Sequence, residues 1–241
     1  MKVFALSDLH LASATPRKEM AVFGDHWLNH ARKIACAWEK RVGENDLVIV
    51  AGDISWAMKL EDALPDIEFI AGLPGRKILL RGNHDYWWRS LSRIRACLPE
   101  RVFVIQNDAL ILDGVALGGS RLWIDHELSP FTLPSRERAE GMQTGMTAAG
   151  LDRRAGDDEA ARAQDEKLFQ RELGRLELSV SQMEEGADLK IAVVHFPPLS
   201  TDLKDSRASR ILEAAGVDHC VFGHLHNLVP SPGRGFFFFL W

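Results

Sequence analysis

Short apolar runs alternate with amphipathic stretches in the first part of the chain. Three apolar runs are predicted to form buried strands: residues 3–6, 47–50 and 77–80. Three stretches that repeat apolar side chains at helical spacing are predicted helices: residues 17–41, 60–70 and 86–98. Pro65 is expected to interrupt the second of these helices early. Strands that alternate with helices in this way are typical of a parallel sheet.

The pattern then changes to three short β-like runs, at residues 102–105, 110–112 and 115–117. Asp113-Gly114 separates the last two runs, and Asp-Gly between apolar runs predicts a β-hairpin. Two further strands are predicted at residues 190–195 and 217–222, joined through a helix at residues 206–215. The mixture predicts an α/β fold with a mixed sheet or two stacked sheets.

Residues 127–187 differ in character from the rest of the chain. Residues 141–156 combine small side chains with little periodicity, so we expect a flexible loop there. Residues 157–183 regain helical spacing and predict one long surface helix. Because 241 residues suffice for one large α/β domain, we predict a single domain over residues 1–241, with a loop-plus-helix insertion at about 127–187.

Five of the apolar runs are followed by side chains of the kinds that bind metal ions. There are seven such residues: Asp8, His10, Asp53, Asn83, His195, His224 and His226. Asp8 and His10 are two positions apart, so their side chains share one face of an extended segment, and His224 and His226 do the same. The carboxyl ends of strands are where open α/β sheets place their chemistry.

This mixture of imidazole, carboxylate and amide ligands suits borderline divalent ions such as Zn²⁺, Mn²⁺ and Fe²⁺. Seven ligands exceed one tetrahedral site and predict two ions, bridged by Asp53 or Asp8 because imidazole bridges poorly. Two such ions, two carboxylates and a bridging hydroxide leave about one positive charge, which attracts a phosphate. Paired ions about 3.5–4 Å apart generate hydroxide near neutral pH and support in-line hydrolysis of a phosphoester.

His84 directly follows the predicted ligand Asn83, so its side chain is expected to point away from the ions and toward a substrate. We therefore predict that His84 is catalytic, either donating a proton to the leaving group or stabilising developing negative charge. For Asp85 we favour an N-cap on the helix predicted to follow, with orientation of His84 as the lesser interpretation.

Composition narrows the expected partners and location. The net charge of −5, with acidic and basic residues interspersed, argues against non-specific binding of nucleic acid. The 3 cysteines are scattered and the N-terminus lacks a signal peptide, which predicts a cytoplasmic protein. The apolar ending at residues 236–241 is too short to span a membrane, so no membrane contact is expected.

The ligand motifs, taken in order, resemble a known family. Asp8-x-His10, Gly52-Asp53, Gly82-Asn83-His84-Asp85, His195 and Gly223-His224-x-His226 are similar to the motifs of the calcineurin-like metallophosphoesterases. The stretches at residues 52–56 and 84–88 look closer still to a group of bacterial predicted phosphohydrolases within that family. The resemblance implies an αββα sandwich, with two stacked mixed β-sheets flanked by helices.

The resemblance also implies a role for each ligand. It assigns one ion to Asp8, His10 and His226, a second ion to Asn83, His195 and His224, and the bridge to Asp53. It makes His84 the acid or the transition-state stabiliser. Members of the family usually continue into further strands after the last motif, whereas here residues 227–241 follow and include the run Phe236-Phe237-Phe238-Phe239.

We therefore predict a dinuclear metal-dependent phosphoesterase that hydrolyses a phosphate mono- or diester, with a small molecule as its expected substrate. The ions are expected to be Mn²⁺, Zn²⁺ or iron as Fe²⁺ or Fe³⁺. The alternative is a catalytically inactive scaffold of the same fold that binds partner proteins. A scaffold can lose ligands freely, and this sequence has lost none, which favours the enzyme.

Two further sets of residues are candidates for substrate contacts. Trp56, Tyr86, Trp87 and Trp88 adjoin predicted ligands and are expected to wall a pocket or to pack in the core. Arg81, Arg121 and Trp123 are possible contacts for a phosphate or for the rest of the substrate, although a structural role is the simpler interpretation.

Overall fold

The strands of this chain form two four-stranded sheets in a computed structural model, which describes residues 1–14, 20–125, 159–183, 186–199 and 205–225. The first sheet contains four parallel strands in chain order: β1 (Val3–Leu6), β2 (Leu47–Val50), β3 (Arg76–Leu80) and β4 (Val102–Ile105). The second sheet is mixed and contains β5 (Ala109–Leu112), β6 (Val115–Ser120), β7 (Leu189–Val194) and β8 (His219–Val221). The predicted hairpin is confirmed, because β5 and β6 pair antiparallel around Asp113-Gly114.

The sheets stack face to face because alternate side chains of each strand point to opposite faces. Leu47 and Ile49 of β2 pack with Leu117 of β6 and Ile191 of β7 in a core between the sheets. Val48 and Val50 point the other way, into a core beneath the helices of the first sheet. The expected α/β sandwich of two stacked sheets is therefore confirmed, and the described strands of its first sheet are all parallel.

Three helices cover the outer face of the first sheet: α1 (His30–Glu39), α2 (Leu60–Ala71) and α3 (Leu91–Cys97). Two more cover the outer face of the second sheet: α4 (Glu159–Val180) and α5 (Arg207–Ala214). The helix predicted at residues 157–183 is thus confirmed, and it is amphipathic, with Phe169 and Leu176 buried against the second sheet. Most of the predicted insertion, including the expected loop at 141–156, lies outside the described residues.

Three of the predicted helices differ from those in the structure. The helix expected at residues 17–41 is an α-helix only over His30–Glu39, and two short 3-10 helices, Met20–Phe23 and Asp25–Trp27, precede it. Gly24 (φ 132°) and Asn29 (φ 55°) separate these pieces, because neither backbone conformation continues a helix. Pro65 does not interrupt α2: buried Ala63, Ile67 and Ile70 on one face hold the helix together around it.

The third difference lies in the segment that carries the predicted ligand Asn83. The helix expected from residue 86 begins at Leu91, where the Ser90 side chain accepts a hydrogen bond from the Arg93 backbone N–H. The residues between β3 and α3 are instead a series of turns that contains the Gly82-Asn83-His84-Asp85 motif. No helix in the described part of the chain is both long and apolar enough to cross a membrane.

Candidate metal centre

The predicted metal ligands meet where the carboxyl ends of the strands of both sheets come together. Six of them lie in one cluster: Asp8, His10, Asp53, Asn83, His195 and His224. The seventh, His226, lies outside the described residues. Parallel strands bring residues that are far apart in sequence to one edge, which is why segments from both sheets converge there.

Asp8, His10 and Asp53 form the first of two overlapping groups. One ligand atom from each of these side chains lies within 4.8 Å of the others. His10 Nε2 is 3.9 Å from Asp8 Oδ1 and 3.8 Å from Asp53 Oδ2. Ligands at about 2.0–2.2 Å from a shared ion stand at separations of this order from one another, so the group can hold a divalent cation.

Asn83, His195 and His224 form the second group. Asn83 Oδ1 is 2.7 Å from His195 Nε2 and 3.1 Å from His224 Nδ1. Asp53 Oδ2 is 3.5 Å from the same nitrogen of His195. The two groups therefore share the Asp53 carboxylate.

The two oxygens of Asp53 have different surroundings. Oδ1 accepts a hydrogen bond from the His84 backbone N–H at 2.8 Å, whereas Oδ2 has no hydrogen-bond partner among the described residues. Burial opposes ionisation of this side chain, which is 1% exposed, but neighbouring His195, His10 and His84 hold its pKa well below the usual range. A buried carboxylate oxygen without a hydrogen bond is costly unless a cation lies beside it.

His195 shows why the second group suits a cation. Its Nδ1 lies 2.8 Å from the Ala51 carbonyl oxygen, which can only accept, so the Nδ1–H must donate. In the neutral ring Nε2 is then an acceptor that faces the acceptor oxygens of Asn83 and Asp53. Three acceptors at such distances repel one another unless a proton or a metal ion lies between them, and the donor set therefore fits a divalent ion.

The surroundings of His195 predict that metal binding depends on pH. Burial opposes protonation of its imidazole, but the negative charge of nearby Asp53 raises the pKa of His195 to about 9. At neutral pH, an ion that binds Nε2 must displace this proton. We expect metal affinity to rise as the pH increases toward about 9, with release of about one proton per chain near pH 7. Calorimetry in two buffers of different ionisation enthalpy measures that release, and a pH-independent affinity would contradict this expectation.

Four of the predicted ligands have strained backbone conformations. Asp8, His10, Asp53 and His224 have positive φ angles of 57°, 45°, 52° and 72°. Side chains other than glycine adopt this region rarely, and it concentrates at functional sites. Gly82 permits the closest approach, because a Cβ there would lie 2.1 Å from Asp53 Oδ1.

His84 lies beside the two groups on the solvent side. Its ring centroid is 5.6 Å from that of His10 and 4.6 Å from that of Trp56, and Trp56 stacks on His10 at 4.8 Å. Tyr86 lies edge-on to His84 at 6.2 Å and is 44% exposed. His84 itself is partly exposed.

The sequence as a whole assigns this arrangement to a family. The profile of the calcineurin-like phosphoesterases matches residues 1–228 of the chain. The chain belongs to this family. The resemblance seen in the sequence motifs is therefore confirmed, and the chemistry of this family implies divalent ions.

Individual relatives of this calcineurin-like phosphoesterase match shorter regions. The gene 66 protein of Mycobacterium phage D29 is 34% identical over 83 residues, which cover 34% of this chain and 40% of the phage protein. The gene 66 protein of Mycobacterium phage L5 is 35% identical over 79 residues, which cover 33% of this chain and 37% of the phage protein. The matched region thus spans less than half of the length of these relatives.

Two solved structures align with most of the chain at low identity. One is a phosphopantetheinyl hydrolase (PptH) from Mycobacterium tuberculosis, with a TM-score of 0.48, 16% identity, and coverage of 96% of this chain and 86% of that one. The other is AQ665 from Aquifex aeolicus, a protein of unknown function, with a TM-score of 0.35, 16% identity, and coverage of 91% and 88%.

Asp85 has a different role in this calcineurin-like phosphoesterase from the helix cap that its position suggested. The N-cap interpretation is wrong, because α3 begins only at Leu91. Asp85 Oδ1 accepts hydrogen bonds from the Ile54 and Ser55 backbone N–H groups at 3.0 and 3.1 Å and from Trp87 Nε1 at 3.0 Å. Oδ2 accepts from the Gly82 backbone N–H at 2.8 Å.

These four bonds tie together the two turns that carry Asp53 and Asn83. Asp85 is 0% exposed, and burial together with the charge of Asp53 raises its pKa to about 6 although the Gly82 and Ser55 N–H groups favour ionisation. Sequence periodicity contains no signal for this contact, because its donors come from two segments of the chain. Asp85 is thus a positioning residue for the metal centre.

Replacing Asp85 with Asn is expected to weaken metal binding by about 10–100-fold, the range typical of partners that orient metal ligands. The Asn amide must point an N–H group at one of the N–H donors that now face the carboxylate, which disturbs the turns. Titration of Mn²⁺ into the variant measures the loss. Asp113→Asn is the matched control because Asp113 is 64% exposed, and an unchanged affinity in Asp85→Asn would refute the positioning role.

Proposed function

We propose that the protein is a dinuclear metal-dependent phosphoesterase that hydrolyses a small phosphate mono- or diester. Asp8 and His10, with His226, would hold one ion, and Asn83, His195 and His224 would hold the other. The observation that carries this proposal is the position of Asp53 Oδ2, 3.8 Å from His10 Nε2 and 3.5 Å from His195 Nε2. One buried carboxylate oxygen that faces a ligand of each group suits a bridge.

The reaction follows from what each side chain can do. When bound, two divalent ions supply a hydroxide nucleophile near neutral pH and positive charge for the phosphoryl oxygens. His84 lies next to the cluster but outside both groups, so it can give a proton to the leaving oxygen or stabilise its charge. Trp56 packs against both His10 and His84 and would fix the orientation of the two rings.

The surroundings of His84 support a small substrate. Trp56 is half-buried and Tyr86 is 44% exposed, so aromatic surface is available for an apolar or aromatic leaving group. Trp87 and Trp88, by contrast, are 2% and 1% exposed and pack in the core beneath the first sheet. The net charge of −5 disfavours a polymeric nucleic acid as substrate.

The proposal is tested by measuring metal content and hydrolysis in the same preparation. We expect two Mn²⁺ per chain by elemental analysis, and hydrolysis of p-nitrophenyl phosphate or bis-p-nitrophenyl phosphate that a chelator abolishes. The preferred reporter separates monoester from diester chemistry. Well-folded protein that binds no Mn²⁺ and hydrolyses neither compound would contradict the proposal and favour the inactive scaffold. The one-domain organisation and the cytoplasmic location stay predictions.

A further inference from the structure

Four arginines surround a single buried glutamate beside the metal centre. Arg81 directly follows β3, Arg121 directly follows β6, and Arg171 and Arg175 lie on α4 on either side of Glu172. The space between them, which we call the arginine recess, is lined by Arg81, Arg121, Glu172 and Arg175 together with Gln106 and Asn107. It opens where the carboxyl ends of β3, β4 and β6 meet α4.

Three of these arginines lie near the same carboxylate oxygen. Glu172 Oε1 lies 2.6 Å from Arg175 Nη1, 3.3 Å from Arg171 Nη2 and 3.6 Å from Arg121 Nη2. The last separation is too long for a good hydrogen bond. Glu172 is 2% exposed, so this single buried negative charge is shared among several guanidinium groups, and those of Arg171 and Arg175 are partly exposed.

The Arg81 guanidinium also lacks a full set of hydrogen-bond acceptors in the described part of the chain. Its Nε is buried and has no hydrogen-bond partner among the described residues. The carboxylates whose charges reach it are Asp85 and Glu172, and both already accept hydrogen bonds from other groups. Three lining arginines, Arg81, Arg121 and Arg175, thus face Glu172 and the neighbouring Asp85, which leaves the recess with a net positive charge.

Arg121 is 13% exposed and lies among the same charged groups. The Arg121 guanidinium lies over the ring of Trp123, 4.5 Å from its centroid, and this cation–π contact stabilises its position.

The recess is joined to the metal centre by direct contacts. The Arg121 carbonyl oxygen accepts hydrogen bonds from the backbone N–H groups of His195 and Phe196, at 3.2 and 3.0 Å. Trp123 packs on Phe196 at 5.0 Å, and Phe196 packs on His224 at 4.2 Å. On the other side, Arg81 is separated from Asn83 only by Gly82. The recess is therefore next to the metal centre in the fold.

We propose that the arginine recess binds a second anionic group of the substrate, a phosphate or a carboxylate, while the scissile phosphoester lies at the metal centre. The position of the scissile phosphoester at the metal centre rests on the proposed function. The binding of an anion in the recess does not depend on that function. Guanidinium groups present paired N–H donors that match both oxyanions, so two or three under-matched arginines in a partly buried site select for such a group. The preferred substrate class is then a phosphoester with two anionic ends.

The first test uses protein stripped of metal with a chelator and then dialysed, so that the recess is examined alone. Isothermal titration with inorganic pyrophosphate is expected to show binding by the wild-type chain. Arg121→Gln should weaken that binding by about 10- to 100-fold, the usual effect of losing a hydrogen bond to a charged group. Arg93→Gln is the matched control, because Arg93 is 70% exposed, pairs with Glu61 and does not line the recess.

A second variant guards against misfolding as an explanation. Glu172→Gln removes the negative charge that competes with the ligand, so it is expected to strengthen pyrophosphate binding by about 10-fold or more. A gain of affinity is not produced by a damaged fold. Absence of pyrophosphate binding in the wild-type chain, or equal affinity in the wild type, Arg121→Gln and Glu172→Gln, would overturn the proposal.

The second test identifies the anion and needs the metal-loaded enzyme. Alkyl phosphates are compared with α,ω-alkanediol bisphosphates and ω-carboxyalkyl phosphates of two to six carbons, as substrates and as inhibitors of p-nitrophenyl phosphate hydrolysis. A second anion at the right chain length should improve binding by about 10- to 100-fold, and Arg121→Gln should remove that advantage. The series that binds more tightly identifies the anion as a phosphate or a carboxylate. If neither series binds better than the alkyl phosphates at any chain length, the substrate class is refuted. Failure of hydrolysis with every compound would instead count against the proposed function. The titration on metal-free protein would still show whether the recess binds an anion.

Discussion

Replacing Asp53 with Asn is expected to weaken the binding of both ions by more than ~100-fold, which is the upper end of the cost of losing a partner that merely orients a ligand. Asn keeps the size of Asp and can keep the hydrogen bond from the His84 backbone N–H. It removes the negative charge that faces both His10 and His195, and an amide oxygen bridges two cations poorly. Elemental analysis after dialysis, together with Mn²⁺ titration, measures the loss, and hydrolysis should fall with it.

The control for Asp53→Asn is Asp113→Asn, the same chemical change at a carboxylate that is 64% exposed. Circular dichroism of both variants shows whether the fold is retained. A folded Asp53→Asn protein that still retains two ions with wild-type affinity would exclude Asp53 as the bridge, and loss of one ion alone would assign it to a single group.

Replacing His84 with Ala is expected to lower turnover by about 10²–10⁴-fold, the usual range for acid–base groups, and to leave metal content unchanged. The His84 side chain is next to the ligand groups, 5.6 Å from His10 between ring centroids, but belongs to neither of them. Steady-state kinetics and elemental analysis on the same sample separate the two effects. A loss of metal equal to the loss of activity would make His84 a structural residue.

The leaving group distinguishes the two roles open to His84. Phenolate needs a proton more than p-nitrophenolate does, so a proton donor makes the His84→Ala loss larger for phenyl phosphate than for p-nitrophenyl phosphate. A residue that stabilises charge on the phosphoryl oxygens makes the two losses similar. His219→Ala is the matched control, because His219 is an exposed residue of β8. Full activity of His84→Ala on both esters would remove His84 from the mechanism.

Several features of the fold were predictable because they depend on neighbouring residues alone. Runs such as Leu47–Val50 are fully buried strands, as continuous apolar residues in parallel sheets are expected to be. The Asp113-Gly114 hairpin was predictable for the same reason, since both residues suit the positive φ angles that the turn requires. Helix starts were harder: the aromatic residues after Asp85 have a helical pattern, but hydrogen bonds from Ile54 and Ser55 to Asp85 and from Trp88 to Gln106 hold this segment in turns.

The sequence by itself determined the type of ligand at the end of each strand, and with it the expectation of a site for divalent ions. It also determined the alternation that buries one face of each strand against the opposite sheet. These properties are local, because an apolar run and the polar residue after it are read from a few consecutive positions. The expected family follows from the same motifs and is confirmed over residues 1–228.

Only the tertiary structure decided which groups face one another. Ala51 and His195 are 144 positions apart, and their hydrogen bond, which orients the imidazole toward Asp53, exists because the two sheets stack. The four donors around Asp85 and the arginines around Glu172 likewise come from separate elements. The energy of a buried charge depends on every group within a few ångströms of it, and those neighbours are set by the packing of the whole chain rather than by any one segment.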